Sequence, residues 1–568
     1  ALHRPSKNWL VRILGAIKMI GQRSVTISIR FVLRNVFRDT ILASILSPHG
    51  FKIGIDTAKG LKSVMVQDEH YKEFVANGGA YASHMMDEDV FRYNVDLRNF
   101  YTKRGINLRS VIHTPRKMYY ALTKLTESTE MATRLGEYRQ ARKKGFSPAE
   151  ASFAAGEVST DFRMRGDSVV LGFLYDTIIF LKPAMNGLDR VYRAFTKDEH
   201  RGSVAIKSAA LAGASAVLYM INRGNPAYDD LEEWDKNAHW HFIWPQAWAI
   251  EHWYNTGQVP EGKIQDVYHH YRIPKIWEIG AMASIAERTA EGILDKAPKR
   301  AGIEIFKVLY DTFRIEFIPH AFSPLMEQAT NKLRFFDRPI LTEGQKTLEP
   351  WARTSVHTSP TLRAWGEFTR KADWMPDWMR SPKNLEALLR SYLNAWAGYG
   401  LSITDGLFFD NQPDLRLDQY PGLNVFLRQH PLRNTKSGAE FYEFLEAAVE
   451  ARRTMRDMAK QGKRDIAFEI REKDASKNYG MLSSYATRLQ AVKARNDQML
   501  RMKTIEELQN MARSFQGRKE YAAEIKKMRN NPDVWNDIGA MKRKLQDMFT
   551  ERRNKLTREA VRKVEKGM

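Results

Sequence analysis

The chain has no cysteine among its 568 residues. Disulfide frameworks, zinc or iron–sulfur centres with thiolate ligands, and cysteine nucleophiles are therefore excluded. The sequence also lacks the common glycine-rich phosphate loops, the His-Glu-x-x-His zinc motif and the Gly-x-Ser-x-Gly nucleophile elbow. We therefore expect no catalytic residues, no cofactor and no enzyme activity. An enzyme with an unrecognised site is the least supported alternative, with Glu130, His239 and Glu251 as the first residues to mutate.

Long apolar runs are also scarce. A bilayer-spanning helix needs about 20 mostly apolar residues, and the uncharged run from Ser208 to Asn222 falls short of that length. The two most apolar stretches, 168–181 and 204–221, contain Asp176 and Lys207, respectively. Small residues in the second stretch also suit close helix packing, so we favour a place in the core of a bundle. Conditional insertion into a bilayer stays open.

Net charge is concentrated at the two ends of the chain. Ala1–Gly60 has ten basic against two acidic residues, and Ala451–Met568 has thirty against sixteen, which together account for the net charge of +22. Cationic ends attract nucleic acid, anionic lipid or an acidic partner, although a charged surface that serves only solubility is the alternative. The residues predicted to contact nucleic acid or membrane are Arg12, Lys18, Lys542, Arg543, Lys544, Arg552 and Arg553.

Apolar residues recur at helical spacing through most of the chain, so we predict a mainly α fold. It consists of an elongated multi-helix body, proline-rich irregular arms, and a C-terminal helical bundle or stalk broken near Gly480, Gly517 and Pro532. Gly145 and Ser147 predict a helical hairpin. The alternation from Val25 to Leu33 resembles that of a strand, so its class is uncertain and we favour helix only weakly. The predicted segments are a basic N-terminal segment, a helical core region, a Trp/Pro-rich lobe and a basic bundle, over 1–60, 61–225, 226–435 and 436–568.

Aromatic and histidine residues cluster in the third segment. Trp240, Trp244 and Trp248 are spaced by four, which predicts one helical face with a start or kink at Pro245. We favour a core or an interface for these rings, with a membrane–water boundary as the alternative. His239 and His241 would lie on one side of an extended strand, and Glu251-His252 and His269-His270 follow. Because no spacing defines a third ligand, we interpret these histidines as ordinary core or surface residues and predict no metal site.

Several short motifs in a fixed order resemble those of phage internal virion proteins, which eject with the DNA, and of the large polyvalent protein-associated helical domains of phages and mobile elements. The resemblance covers 30–400. Its pieces are Arg30–Asp39, Glu130 with Arg134 and Tyr138, Gly145–Ala151, Thr160–Phe162, Asn225-Pro226 with Tyr228-Asp229, Ile273–Gly280, Asn331, Arg338–Ile340, Thr354-Ser355 and Ser381–Lys383.

The resemblance implies a structural virion protein of a short-tailed phage that lies inside the capsid and later in the host envelope, where it helps to form a conduit for the genome. Its implied partners are other ejection or core proteins, portal or tail proteins and further copies of this chain, with DNA and the host membrane as additional partners. The chain begins with Ala1, and we expect a larger protein with upstream domains, which in relatives include enzymes. The alternative function is a nucleic-acid-binding effector delivered with phage or mobile-element DNA.

Overall fold

The structure is a computed structural model that describes residues 9–79, 115–158, 168–258, 260, 263–275, 277–296, 298–313, 318–333, 338–355, 358–408, 416–420, 422–472 and 477–566. The Thr160–Phe162 motif therefore lies outside the described residues. The chain divides into two compact units, each built from two separate segments. The first unit consists of Ala1–Met220 and Pro274–Asp410, and the second consists of Ile221–Ile273 and Asn411–Met568. The four segments predicted from the sequence stay a prediction.

The described elements, in chain order, begin with α1 (Trp9–Thr26), α2 (Ile29–Leu46), α3 (Ile55–Val66), α4 (Glu69–Ala76), α5 (Pro115–Lys143), α6 (Pro148–Glu157), α7 (Val169–Thr177), α8 (Leu181–Thr196), α9 (Arg201–Asn222), α10 (Pro226–Asp229), α11 (Glu233–Ala238), β1 (His239–Pro245), α12 (Ala247–Thr256), α13 (Ile264–Val267) and β2 (Tyr268–Pro274). They continue with α14 (Trp277–Leu294), α15 (Pro298–Phe313), α16 (Ser323–Thr330), β3 (Lys332–Leu333), β4 (Arg338–Pro339), α17 (Glu343–Lys346), α18 (Pro360–Phe368), α19 (Asp377–Arg380), α20 (Pro382–Phe408) and α21 (Leu423–Phe426). The last are α22 (Lys436–Lys460), α23 (Arg464–Glu472), α24 (Tyr479–Arg501), α25 (Ile505–Phe515), α26 (Ala522–Arg529), α27 (Pro532–Trp535) and α28 (Ile538–Glu565). Short 3₁₀ turns lie at Pro350–Ala352, Thr369–Lys371 and Leu417–Gln419.

The mainly α prediction is confirmed. Within the described residues, β1 pairs with β2 and β3 pairs antiparallel with β4, each as a two-stranded sheet. The uncertain stretch from Val25 to Leu33 is helical on both sides of a bend at Ile27-Ser28. The Ser28 side chain accepts a hydrogen bond from the Phe31 amide and so caps α2, which explains why a new helix starts there.

The predicted helical hairpin is formed by α5 and α6. Gly145 has a φ of 89°, a left-handed conformation that glycine adopts without strain. Ser147 and Glu150 then form a reciprocal capping box at the start of α6. The turn therefore follows directly from local sequence.

The first unit has an apolar core where α3, α4, α5 and α6 meet. Its buried members are Val64, Tyr71, Phe74, Met131, Leu135, Tyr138, Ala141, Ala151 and Ala155. Elsewhere in the first unit charged groups are buried, because Arg38 lies 3.5 Å from both Asp39 and Glu278. Burial raises the pKa of Asp39 to about 6, against the opposing effect of Arg38. This unit is thus held together by ion pairs as well as by apolar packing.

The C-terminal part of the second unit is a helical bundle, as predicted. Its buried apolar residues include Phe441, Leu482, Leu489, Val492, Met499, Leu508, Phe515, Ile525, Met541, Leu545, Phe549, Leu556 and Val561. Breaks lie near Gly480, Gly517 and Pro532, and there are two further breaks, at 461–463 and 502–504. The helices are therefore shorter and more numerous than the periodicity suggested.

Candidate functional site

Helix α9 has an unusually exposed apolar surface. Its buried residues, Val204, Ser208, Ser215, Tyr219 and Asn222, form one narrow face. Elsewhere on the helix, Ile206 is 72% exposed and Ile221 is 68% exposed. Among the described residues, α9 alone has the length and composition to cross a membrane, and 22% of its most apolar window is buried. The prediction that 204–221 lies in the core of a bundle is therefore wrong, because only a narrow face of α9 is buried among the described residues.

Other apolar residues are exposed on α15. Ala301 and Val308 face the protein interior, whereas Ile303, Phe306 and Tyr310 are exposed at helical spacing. The rings of Phe306 and Tyr310 stack with centroids 6.4 Å apart. An exposed apolar stripe of this kind is typical of a helix that binds another protein surface.

The tryptophan-rich segment does not form the single helical face that was predicted. Trp240 and Trp244 lie on strand β1, and Trp248 lies on α12, because the chain pairs with β2 before Pro245 instead of coiling. Trp240 is buried, but Trp244, Trp248 and Trp253 are exposed. Trp244 stacks on Tyr271 with ring centroids 4.9 Å apart. Of these four residues, Trp240 lies in the core. The exposed rings of the other three are compatible with an interface.

Four histidines of the second unit meet in its interior. His239 and His241 lie on β1, the arrangement that their spacing allowed, and β2 places His270 beside them. His241 Nδ1 is 2.9 Å from His270 Nε2, and His270 Nδ1 is 3.1 Å from His430 Nε2. We call His241, His270 and His430 the imidazole row. His430 was missed because it lies 160 residues from His270 in the sequence.

The hydrogen bonds of the imidazole row are consistent with neutral rings. His241 Nε2 lies 3.2 Å from the carbonyl oxygen of Asp235, which can only accept, so this nitrogen carries the proton. His241 Nδ1 then accepts from His270, and His270 Nδ1 accepts from His430. Burial and the neighbouring imidazoles hold the pKa of His270 well below its usual value, and burial with Arg428 and Arg416 lowers that of His430 to about 3.

Asp235 anchors this cluster electrostatically. Its carboxylate accepts from His239 Nδ1 at 2.8 Å and from Arg272 Nη1 at 2.7 Å, and Arg428 Nη2 lies 3.3 Å away. Burial alone raises the pKa of Asp235, but the bond from His239 and the charges of Arg428 and Arg272 outweigh it and hold the pKa well below the usual value. The carboxylate is therefore anionic in the interior.

Asp235, His239 and His241 have side chains of the kinds that bind metal ions. The donor atoms of Asp235, His239 and His241 lie within 4.8 Å of one another. However, the carboxylate of this group is already paired with two guanidinium groups, which would repel a divalent cation in a buried site. The cluster therefore fits a hydrogen-bonded network better than a metal centre.

The imidazole row also joins distant parts of the second unit. Leu427 bridges to Tyr271 of β2, and the Arg428 amide donates to the His270 carbonyl at 3.2 Å. Arg272 Nη2 donates to the Asn424 carbonyl at 2.6 Å. The cluster thus fastens the segment that leads into the bundle to the β1–β2 sheet.

The predicted polyanion-contact residues have different surroundings. Arg12 and Lys544 are exposed, Lys18 and Arg543 are half-buried, and Lys542 is buried, which lowers its pKa. Arg552 lies 3.7 Å from Glu520, and Arg553 donates to the Arg433 carbonyl. Because it is buried, the Lys542 side chain is not accessible to a ligand in this conformation. A polyanion contact by the other residues stays a prediction.

A cavity of about 440 Å³ in the first unit has several cationic side chains in its wall, among them Arg139, Arg142 and Lys143. Arg139 is paired with Asp68 at 3.0 Å, and Arg142 is paired with Glu73 at 3.1 Å. These acids neutralise much of the positive charge, so the cavity does not define an anion site.

Comparison with known proteins identifies one part of the chain. Residues 225–423 match the model of large polyvalent protein associated domain 38. This match supports the predicted domain family over that range and an association with phages or mobile elements. The matched range includes the imidazole row except His430, and the resemblance before residue 225 stays a prediction. Neither the curated proteins nor the solved structures contain a match to the chain.

Proposed function

We propose that the chain is a non-enzymatic structural protein of a short-tailed phage, packaged in the capsid and used in a conduit that carries the genome across the host envelope. The observation that carries the proposal is α9, a 22-residue apolar helix that the protein leaves largely exposed. A conduit component needs a segment that can enter lipid and surfaces that bind further subunits. The large polyvalent domain supports the phage or mobile-element setting.

The proposed partners are further copies of this chain and other virion ejection, portal or tail proteins. The exposed stripe of α15, with Ile303, Phe306 and Tyr310, and the tryptophans of α12 supply apolar surface for such contacts. The first test is averaged electron micrographs of the purified assembly. A closed ring with a lumen wide enough for DNA supports the proposal, whereas a monomer at all concentrations contradicts it.

A second experiment tests whether α9 enters lipid. Because the chain has no cysteine, a thiol-reactive label attaches only to a cysteine that is introduced. Val217→Cys and Ile206→Cys place one thiol each on the exposed side of α9, and each can carry an environment-sensitive fluorophore. Trp374→Cys is the matched control, because Trp374 is an exposed residue of the same unit outside α9. With vesicles present, the probes on α9 should shift to the blue and be quenched by lipids labelled in their acyl chains. Probes on α9 that stay in water like the control probe contradict membrane entry.

The second candidate is a DNA-binding effector, which the basic C-terminal segment favours. Its test is the affinity of the full chain for duplex DNA as a function of salt. Several phosphate contacts predict a steep fall of log affinity with log salt, and Lys544→Gln should reduce the slope by about 1. A flat salt dependence removes this candidate.

A further inference from the structure

Helix α1 exposes several large apolar residues along its length. Its exposed residues include Trp9, at 70%, together with Ile13 and Ile20. Leu14 is its buried large apolar residue, and Gln22, Ser24 and Thr26 are buried in its last turns. A surface helix of a water-soluble protein normally turns its apolar stripe toward the core. The outward apolar stripe therefore indicates a partner outside this unit.

The neighbouring helix α7 also exposes apolar residues. It packs against α1, where the Asp176 carbonyl approaches the position of Gly15 closely enough that a Cβ there would be 3.4 Å away. Val169, at 87%, Val170 and Phe173 of α7 are exposed. We define the α1–α7 surface as Trp9, Leu10, Ile13, Ile20, Val169, Val170 and Phe173. Two adjacent helices thus present apolar side chains together.

The charge of α1 indicates the chemistry of the partner. The helix contains Arg12, Lys18 and Arg23 and no acidic residue. Arg12 and Arg23 are exposed, and neither has an acidic partner within 4 Å among the described residues. Basic residues next to exposed tryptophan and aliphatic side chains are typical of helices that bind an anionic lipid surface. The basic groups contact the headgroups, and the apolar side chains contact the acyl chains.

We infer that the α1–α7 surface docks on the headgroup region of an anionic bilayer. Helix α1 lies along the membrane plane, its aliphatic residues enter the boundary of the acyl chains, and Arg12 and Arg23 contact lipid phosphates. The inference rests on the proposed function, because that function brings the chain to a membrane. It adds a docking site that is distinct from α9 and that depends on lipid charge.

The experiment is cosedimentation of the full chain with vesicles of phosphatidylcholine, alone or with about a quarter phosphatidylserine, an anionic content that gives cationic segments a measurable preference. Arg12→Gln should weaken binding to the anionic vesicles about fivefold. Trp9→Ser combined with Ile13→Ser should weaken it at least about tenfold, because apolar contact is lost. Lys371→Gln and Trp374→Ser are the matched controls, since both residues are exposed and lie on neither helix.

Loss of anionic-vesicle binding in the α1 variants, with both controls unchanged, supports the docking site. Equal binding to both vesicle types, equal losses in the controls, or a change of the lipid-free oligomer in the α1 variants overturns it; the last result would identify a protein interface. The probes on α9 report independently. If they enter lipid while the α1 variants bind normally, only the docking site fails. If the α1 variants lose binding while α9 stays in water and no ring forms, the proposed function fails.

Discussion

The Nδ1 atom of His270 lies 3.1 Å from the Nε2 atom of His430, and both imidazoles are buried. Each ring has a pKa below its ordinary value, as burial and nearby positive charge oppose protonation. The unfolded chain therefore binds more protons than the folded chain below about pH 6.5, the ordinary histidine pKa. The contribution of these two neutral rings to the free energy of unfolding should be complete above that pH. It should decrease as the pH falls toward about 3, the pKa of His430 in the folded chain.

Urea unfolding of the full chain between neutral and mildly acidic pH measures this loss. Each neutral buried histidine should contribute a fall of up to about 1.4 kcal/mol per pH unit in the free energy of unfolding. His430→Gln removes one titrating ring and should flatten the dependence by about that amount. His252→Gln, at an exposed position, should leave it unchanged. A His430→Gln variant with the parental pH slope contradicts the neutral imidazole row.

A second prediction concerns the close crossing of α3 and α5. A Cβ on Gly60 would meet the Ala132 carbonyl oxygen at 1.9 Å, and a Cβ on Gly136 would meet the Asp56 carbonyl at 2.5 Å. Gly60→Ala must separate the two backbones and should destabilise the chain by about 1–3 kcal/mol in chemical denaturation. Gly302→Ala, in a helix with open space around the new methyl group, should be neutral or stabilise by up to about 1 kcal/mol. Equal effects of the two substitutions would show that the helices do not approach in this way.

A third prediction uses the buried ion pair between α14 and the residue after β2. Lys275 Nζ lies 2.5 Å from Glu287 Oε2, and both side chains are buried. Burial lowers the pKa of Lys275 and raises that of Glu287, while each partner opposes the shift of the other. Lys275→Met leaves a buried carboxyl group without this partner and should cost about 3–5 kcal/mol of unfolding free energy.

The matched control is the double variant Lys275→Met with Glu287→Leu. It removes both charges and should recover most of the loss, because an apolar pair of similar volume has no desolvation cost. If the double variant is as unstable as the sum of the two single variants, the pair is not coupled.

A fourth prediction concerns the start of α6. The Ser147 side chain accepts from the Glu150 amide at 3.3 Å, and the Ser147 amide donates to the Glu150 carboxylate at 2.9 Å. Ser147→Ala should reduce local stability by about 1 kcal/mol. Glu150→Gln should have a smaller effect, because glutamine can complete the same box. Amide hydrogen exchange in the first turn of α6 measures both, and unchanged exchange after Ser147→Ala would falsify the capping role.

Local features of the fold could be predicted with the most success. The hairpin of α5 and α6 follows from Gly145 and Ser147, whose effects act within a few residues. The spacing of His239 and His241 allowed a strand, but the same stretch was also predicted to form a helical face through Trp240. The tryptophan face was wrong because a spacing of four cannot distinguish one helix from a strand followed by a helix. The stretch before Pro245 is a strand because it pairs with β2, and this pairing cannot be seen in the local spacing.

By itself, the sequence determined the helical character of the chain, its caps and turns, its lack of sulfur chemistry and its cationic ends, since composition and near-neighbour spacing specify these. Tertiary structure decided which side chains meet and which stay uncovered. His430 reaches His270 across 160 positions, and Lys542 becomes buried while other cations stay exposed. The outward apolar faces of α1 and α9 depend on which faces the neighbouring helices cover. Whether a side chain is buried depends on the other elements that pack against it, so the periodicity of a single helix cannot predict it.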